Sequence, residues 1–137
     1  MEFLNVLAAA LAAFAFGAVW YMSMSKAWIA AAEVAVDESG RPTRKDGQGG
    51  GSSPIPMVVG LIAMVLVAGM MRHLLGASGV VSVGGGAVAG FGIGAFLITP
   101  WVAMNYAFSM RKPALTTIDG VNSIVGCTIM GAVLNAF

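Results

Sequence analysis

Long stretches without a charged side chain dominate this chain, and they constrain its fold more than any other feature. Residues 3–25, 54–71, 74–110 and 120–137 contain none. About 20 apolar residues in a helix cross a hydrocarbon core of roughly 30 Å. Backbone polar groups find no water there, so only helices or a closed barrel can span it. Barrel strands alternate apolar and polar residues, and these runs do not. The pattern predicts an all-α integral membrane bundle of four transmembrane helices, at about residues 3–25, 55–75, 85–109 and 116–136, with short connections. Residues 1–137 then form a single transmembrane domain.

Composition excludes the alternatives. Charged residues are 9% of the chain, against about 25% in soluble proteins, which leaves no material for a second, water-soluble domain. A net charge of +1 argues against nucleic acid as a partner. The single cysteine, Cys127, rules out an internal disulfide. Glu2 stands where a signal peptide needs basic residues, so the first run is expected to stay attached.

The connections are legible as well. Residues 37–53 hold no aliphatic or aromatic side chain and include Gly40, Pro42 and Gly49-Gly50-Gly51, which predicts a flexible cytoplasmic loop. Pro54 and Pro56 open the second helix, where a missing N–H costs least. Residues 76–79 read as a tight turn, and Pro100 predicts a kink inside the third helix. Lys26, Arg41, Arg44, Lys45, Arg111 and Lys112 fall on the first and third connections, and Arg72 alone lies toward the other side. The positive-inside rule therefore places those connections in the cytoplasm and both termini outside. A bacterial inner-membrane location is expected.

Small residues mark the packing faces. Ser82, Gly86, Gly90 and Gly94 recur every four residues on the third helix, and Ser123, Cys127 and Gly131 do so on the fourth. Such stripes let helix backbones approach closely in lipid. Gly84-Gly85-Gly86 with Ala89 fits a dinucleotide-binding spacing, but no strand precedes it and no acid follows at the right distance. Asn105, Tyr106, Arg111 and Asp119 form a polar group near the cytoplasmic end of the third and fourth helices. Interfacial anchoring is the simpler role for Tyr106, Trp20 and Tyr21. Thr116-Thr117-Ile118-Asp119 reads as a variant capping box with Asp119 at N3. A proton-relay role for Asp119 is the sharper alternative. No nucleophile–base pair, paired acid and base, or metal-ligand spacing occurs, so no catalytic residue, metal or cofactor is assigned and the chain is not expected to be an enzyme.

Several of these residues resemble a family pattern. Gly17-Ala18-Val19-Trp20-Tyr21, Lys26-Ala27-Trp28, Pro100, Asn105-Tyr106, Phe108, Arg111, Pro113, Ile118-Asp119-Gly120 and Met130-Gly131-Ala132 are similar to a bacterial family of small four-helix membrane proteins. That family is catalogued as a domain of unknown function, number seventeen sixty-one. Its pattern has Ser-Pro after Trp-Tyr, where Met22-Ser23 stands here. The resemblance implies the four-crossing fold and supplies no activity. Abundant packing surface and few reactive groups predict a non-catalytic accessory or assembly subunit that packs with itself or with a larger membrane complex. An oligomeric small-solute transporter or channel is the alternative.

Overall fold

A computed structural model describes residues 2–44, 46 and 53–137. Uncharged runs become helices because each backbone N–H then finds a carbonyl within its own segment. The chain forms α1 (Glu2–Ser23), α2 (Ser25–Ala32), β1 (Ala35–Val36), β2 (Pro42–Thr43), α3 (Ile55–Ala77), α4 (Val83–Ile93), a π-helical turn (Gly94–Ile98), α5 (Thr99–Phe108) and α6 (Pro113–Leu134). Four helical segments are long and apolar enough to cross a membrane: Phe3–Ser23, Ile55–Ala77, Val83–Phe108 and Pro113–Leu134. The fold is an all-α bundle of membrane type.

The central helix is α6. Buried residues make up 39% of its apolar window, against 11–22% for the other three spans. Ala9, Ala10 and Ala13 of α1 and Ala68, Met71 and Leu75 of α3 pack with Cys127, Met130 and Leu134 of α6. A second cluster joins Ala31 and Ala32 of α2 to Leu115 and Ile118 of α6, with Trp20, Tyr21, Trp28 and Tyr106 around it.

Pro100 does not simply break the third span. It cannot donate to the carbonyl of Phe96, and its ring crowds that turn. The helix widens instead over Gly94–Ile98, and Thr99 N–H donates to Gly94 O five residues back. The span therefore runs on from α4 into α5, with Pro100 in the first turn of α5.

Other boundaries shift for local reasons. The fourth helix begins at Pro113, with Lys112 as its N-cap, not near 116. A proline suits the first helical position because its missing N–H has no partner to lose. Ser82 lies outside the packing stripe and caps α4, its hydroxyl accepting from Gly85 N–H at 3.0 Å. Gly79, with φ +67°, closes the predicted turn after α3.

Part of the expected flexible loop is ordered. Residues 35–43 form a hairpin in which Ala35 pairs with Thr43 and Val36 with Pro42. Asp37 Oδ1 accepts from Ser39 N–H (2.9 Å), Ser39 hydroxyl (2.6 Å) and Arg41 N–H (2.9 Å). Gly40 takes φ +77° at the bend, a conformation that favours glycine. Lys45 and the glycine run at 49–51 lie outside the described residues.

Candidate functional site

The tightest seam in the bundle runs between α4 and α6. A methyl at Gly86 would overlap Gly131 O, one at Gly90 would overlap Cys127 O, and one at Gly131 would overlap Gly86 O. One at Gly94 would stand 2.6 Å from Ile124 Cα and 2.8 Å from Ser123 O. Gly86, Gly90, Gly94, Ser123, Cys127 and Gly131 thus meet one another inside the chain, backbone against backbone. Such close approach gains dispersion contacts and weak Cα–H···O bonds where lipid offers no hydrophobic drive. The seam is spent on the chain's own fold.

Polar chemistry gathers at the end of the bundle that carries α2 and the hairpin. Asp119 lies in the second turn of α6, about 9 Å along the axis from Pro113 at 1.5 Å per residue. It is not an N3 capping residue, because the helix starts earlier than its Thr-Thr pair suggested. Tyr21 hydroxyl of α1 donates to Asp119 Oδ1 at 2.8 Å, and Tyr106 hydroxyl of α5 donates to Oδ2 at 2.6 Å. Trp20 Nε1–H donates to Ile118 O at 3.0 Å. The aromatic pair at the end of α1 thus binds α6 through its polar atoms. The two tyrosine bonds bring three separate spans together at one residue.

The remaining predicted polar residues go elsewhere. Arg111 Nη1 donates to Ala32 O at 3.1 Å, and Lys112 Nζ to Ala30 O at 3.1 Å. These cations face the negative end of the α2 dipole, where basic groups are favourable. Lys112 also ion-pairs with Glu33 at 3.3 Å, on the exposed rim. Asn105 is exposed on α5. The grouping of Asn105, Tyr106, Arg111 and Asp119 is therefore divided, and only Tyr106 and Asp119 touch through their side chains.

Beside Asp119 lies a chamber of about 570 Å³ between α1, α3 and α6, with α2 and the hairpin at its edge. Asp119, Asn122 and Tyr21 line it, together with Phe14, Trp28 and Pro42. Two glycines keep it open: a methyl on Gly17 would stand 3.3 Å from Asn122 Oδ1, and one on Gly60 3.5 Å from Phe14 Cε2. Sequence reasoning missed Asn122 and Gly60, because mid-helix polar and small residues look alike until the facing helix is known.

The opposite end carries a larger, open groove of about 1150 Å³, bordered mainly by residues of α3 and by the chain's last residues. Polar groups fasten this end of the bundle: Arg72 donates to Leu134 O at 3.0 Å, Asn135 to Ser82 O at 3.2 Å, and Asn5 to Phe137 O. The smaller chamber, with a carboxylate and an amide on its wall, is the candidate site.

The chain matches the family described as "Protein of unknown function (DUF1761)" over residues 4–135. It belongs to that family. No curated protein and no solved structure matches it. The family match covers all four spans, and with them Tyr21, Tyr106, Asp119 and the whole chamber wall.

Proposed function

We propose that this member of the family is a non-catalytic membrane protein that holds a small solute in the chamber beside Asp119. The observation that carries this reading is the chamber itself: a carboxylate and an amide side chain line a cavity inside membrane-type spans. An ionisable residue in such a span is costly and marks functional positions in membrane proteins. The volume falls in the range of small-molecule sites, roughly 300–1,000 Å³. The charge asymmetry of the connections supports a cytoplasmic hairpin end and exterior termini. The α4–α6 seam, closed backbone to backbone, offers no room for a solute.

The experiment is native mass spectrometry of protein released from its own membrane in mild detergent. Wild type should carry a bound small molecule, and Gly60→Leu, which fills the chamber from α3, should lose it. Identical spectra for the two proteins would remove the reading.

A second reading, an accessory or assembly subunit, draws support from α3. Its buried residues are Ala68, Met71 and Leu75 only, while Val58, Val59 and Ile62 face outward. A lone monomer with no co-purifying protein would remove that alternative.

A further inference from the structure

We propose that the chamber beside Asp119 binds an organic ammonium ion, a positively charged nitrogen carried on an apolar body. This rests on the solute-binding reading above and specifies its ligand. Four observations converge on that chemistry.

The first is a carboxyl group that has no ion pair among the described residues. Both carboxylate oxygens of Asp119 accept from tyrosine hydroxyls, which are neutral donors. Each oxygen still has acceptor capacity beyond the one bond described. The basic residues that precede it in the chain, Arg111 and Lys112, are aimed at the carbonyls of α2. The described ion pairs, Arg41–Asp37 and Lys112–Glu33, leave Asp119 out. A carboxylate in such a position is best stabilised by a cation that arrives from outside the chain.

The second is the aromatic wall. Phe14, Tyr21 and Trp28 border the same space. Tyr21 and Trp28 pack edge to face with ring centroids 6.3 Å apart. Aromatic faces attract ammonium groups through the ring quadrupole, and Trp does so most strongly.

The third is Asn122, which lines the same space and whose amide oxygen, directed toward Gly17 of α1, can accept from an ammonium N–H. The fourth is the remainder of the lining, which includes Ala13, Ala18, Met57 and Met64 and suits a hydrocarbon body. An inorganic divalent ion fits poorly. Calcium takes 6–8 oxygen ligands, and among the described residues no group of three His, Cys, Asp or Glu side chains comes together. An anionic solute would meet Asp119 with no Lys or Arg among the described lining residues.

The test uses the full chain in phosphatidylglycerol nanodiscs, with empty discs as the blank for partitioning. Three probes share one body and differ in charge: 4-phenylbutylamine, 4-phenylbutanol and 4-phenylbutyrate. Saturable binding of the amine is expected, at least tenfold tighter than the alcohol, with no binding of the carboxylate. Tenfold corresponds to about 1.4 kcal/mol, modest for a charge pair out of water. Asp119→Asn should erase the amine's advantage while leaving alcohol binding in place. Trp28→Leu, away from the carboxylate, should weaken the amine severalfold and the alcohol less, and it keeps the test alive should Asp119→Asn fail to fold.

Alcohol or carboxylate binding as tightly as the amine would overturn the ammonium assignment and leave the solute site standing. No saturable binding of any of the three would remove both. Doping the discs with phosphatidylethanolamine separates two sources of the same group: competition with the amine assigns the site to a lipid headgroup ammonium, and lack of competition to a free amine.

Discussion

At the scale of single residues, the same amino acid does opposite things two positions apart. Gly90 faces the α6 backbone, where a methyl would overlap Cys127 O and stand 2.7 Å from its carbonyl carbon. Gly92 looks into open space, with nothing within 4 Å of an added methyl. The stripe alone suggests that Ala at 90 could still fit, since Ala serves at many close crossings; the geometry overrules that, because the obstructing atoms are backbone and cannot rotate away. Gly90→Ala should lower stability in detergent by about 1–3 kcal/mol, the usual cost of overpacking, or more. Gly92→Ala should be neutral or stabilising by up to about 1 kcal/mol through helix propensity. Thermal melts of the two variants decide it, and equal midpoints would show that the α4–α6 seam is not the tight contact. Val88, which is 72% exposed on the same helix, should accept Leu without loss. Spacing alone could tell which glycines share a face. Which of them can carry a methyl depends on the partner helix, which spacing does not reveal.

At the scale of elements, breaks in regular structure follow from local bonds. The π-helical turn at Gly94–Ile98 lets Pro100 sit inside a span that continues on both sides. Proline chemistry made a disturbance legible in the sequence. Its form, a π-helical turn six to two residues ahead of the proline, was not, because proline chemistry marks the lost hydrogen bond and not how the preceding turn re-pairs. The hairpin was hidden for a different reason: its polar composition resembles a loop, while one carboxylate organises the bend. Hydrogen bonds from Ser39 hydroxyl, then from the Arg41 and Ser39 backbone, hold the Asp37 carboxyl below its ordinary value, with the charge of Arg41 adding to the effect. A lowered value in the folded hairpin means that ionised Asp37 stabilises the bend above the unfolded value of about 3.9. That contribution fades as pH falls through the lowered value. In an NMR titration, the Ser39 and Arg41 amide resonances should shift together with a midpoint below that of an unperturbed aspartate. Asp37→Asn should abolish the transition. A midpoint at the ordinary aspartate value would show that the carboxylate does not hold the turn.

At the scale of the molecule, α6 organises everything else, and its two ends are held by different chemistry. One end is fixed by Trp20, Tyr21 and Tyr106 around Ile118 and Asp119, and Arg111 and Lys112 there secure α2 alongside. The other end is fixed by Arg72, Asn135 and Asn5, which join the tail of α6 to α3, the cap of α4 and α1. Tyr21, Tyr106 and Asp119 were among the residues that carried the family resemblance, yet each by itself looked like a capping or interfacial residue. Their convergence required three helices to be placed at once. With an even number of spans, Glu38 in the hairpin and Ala136 at the far end of α6 must lie on opposite sides of the bilayer. Both are exposed, so cysteines placed there should react freely. In a Cys127→Ser background, an impermeant thiol reagent added to intact cells should label Ala136→Cys, and Glu38→Cys only after the membrane is opened. The reverse pattern would invert the orientation drawn from the basic connections. Labelling of both positions in intact cells would break the four-span topology and place the Asp119 chamber on the outer face, within reach of a quite different pool of solutes.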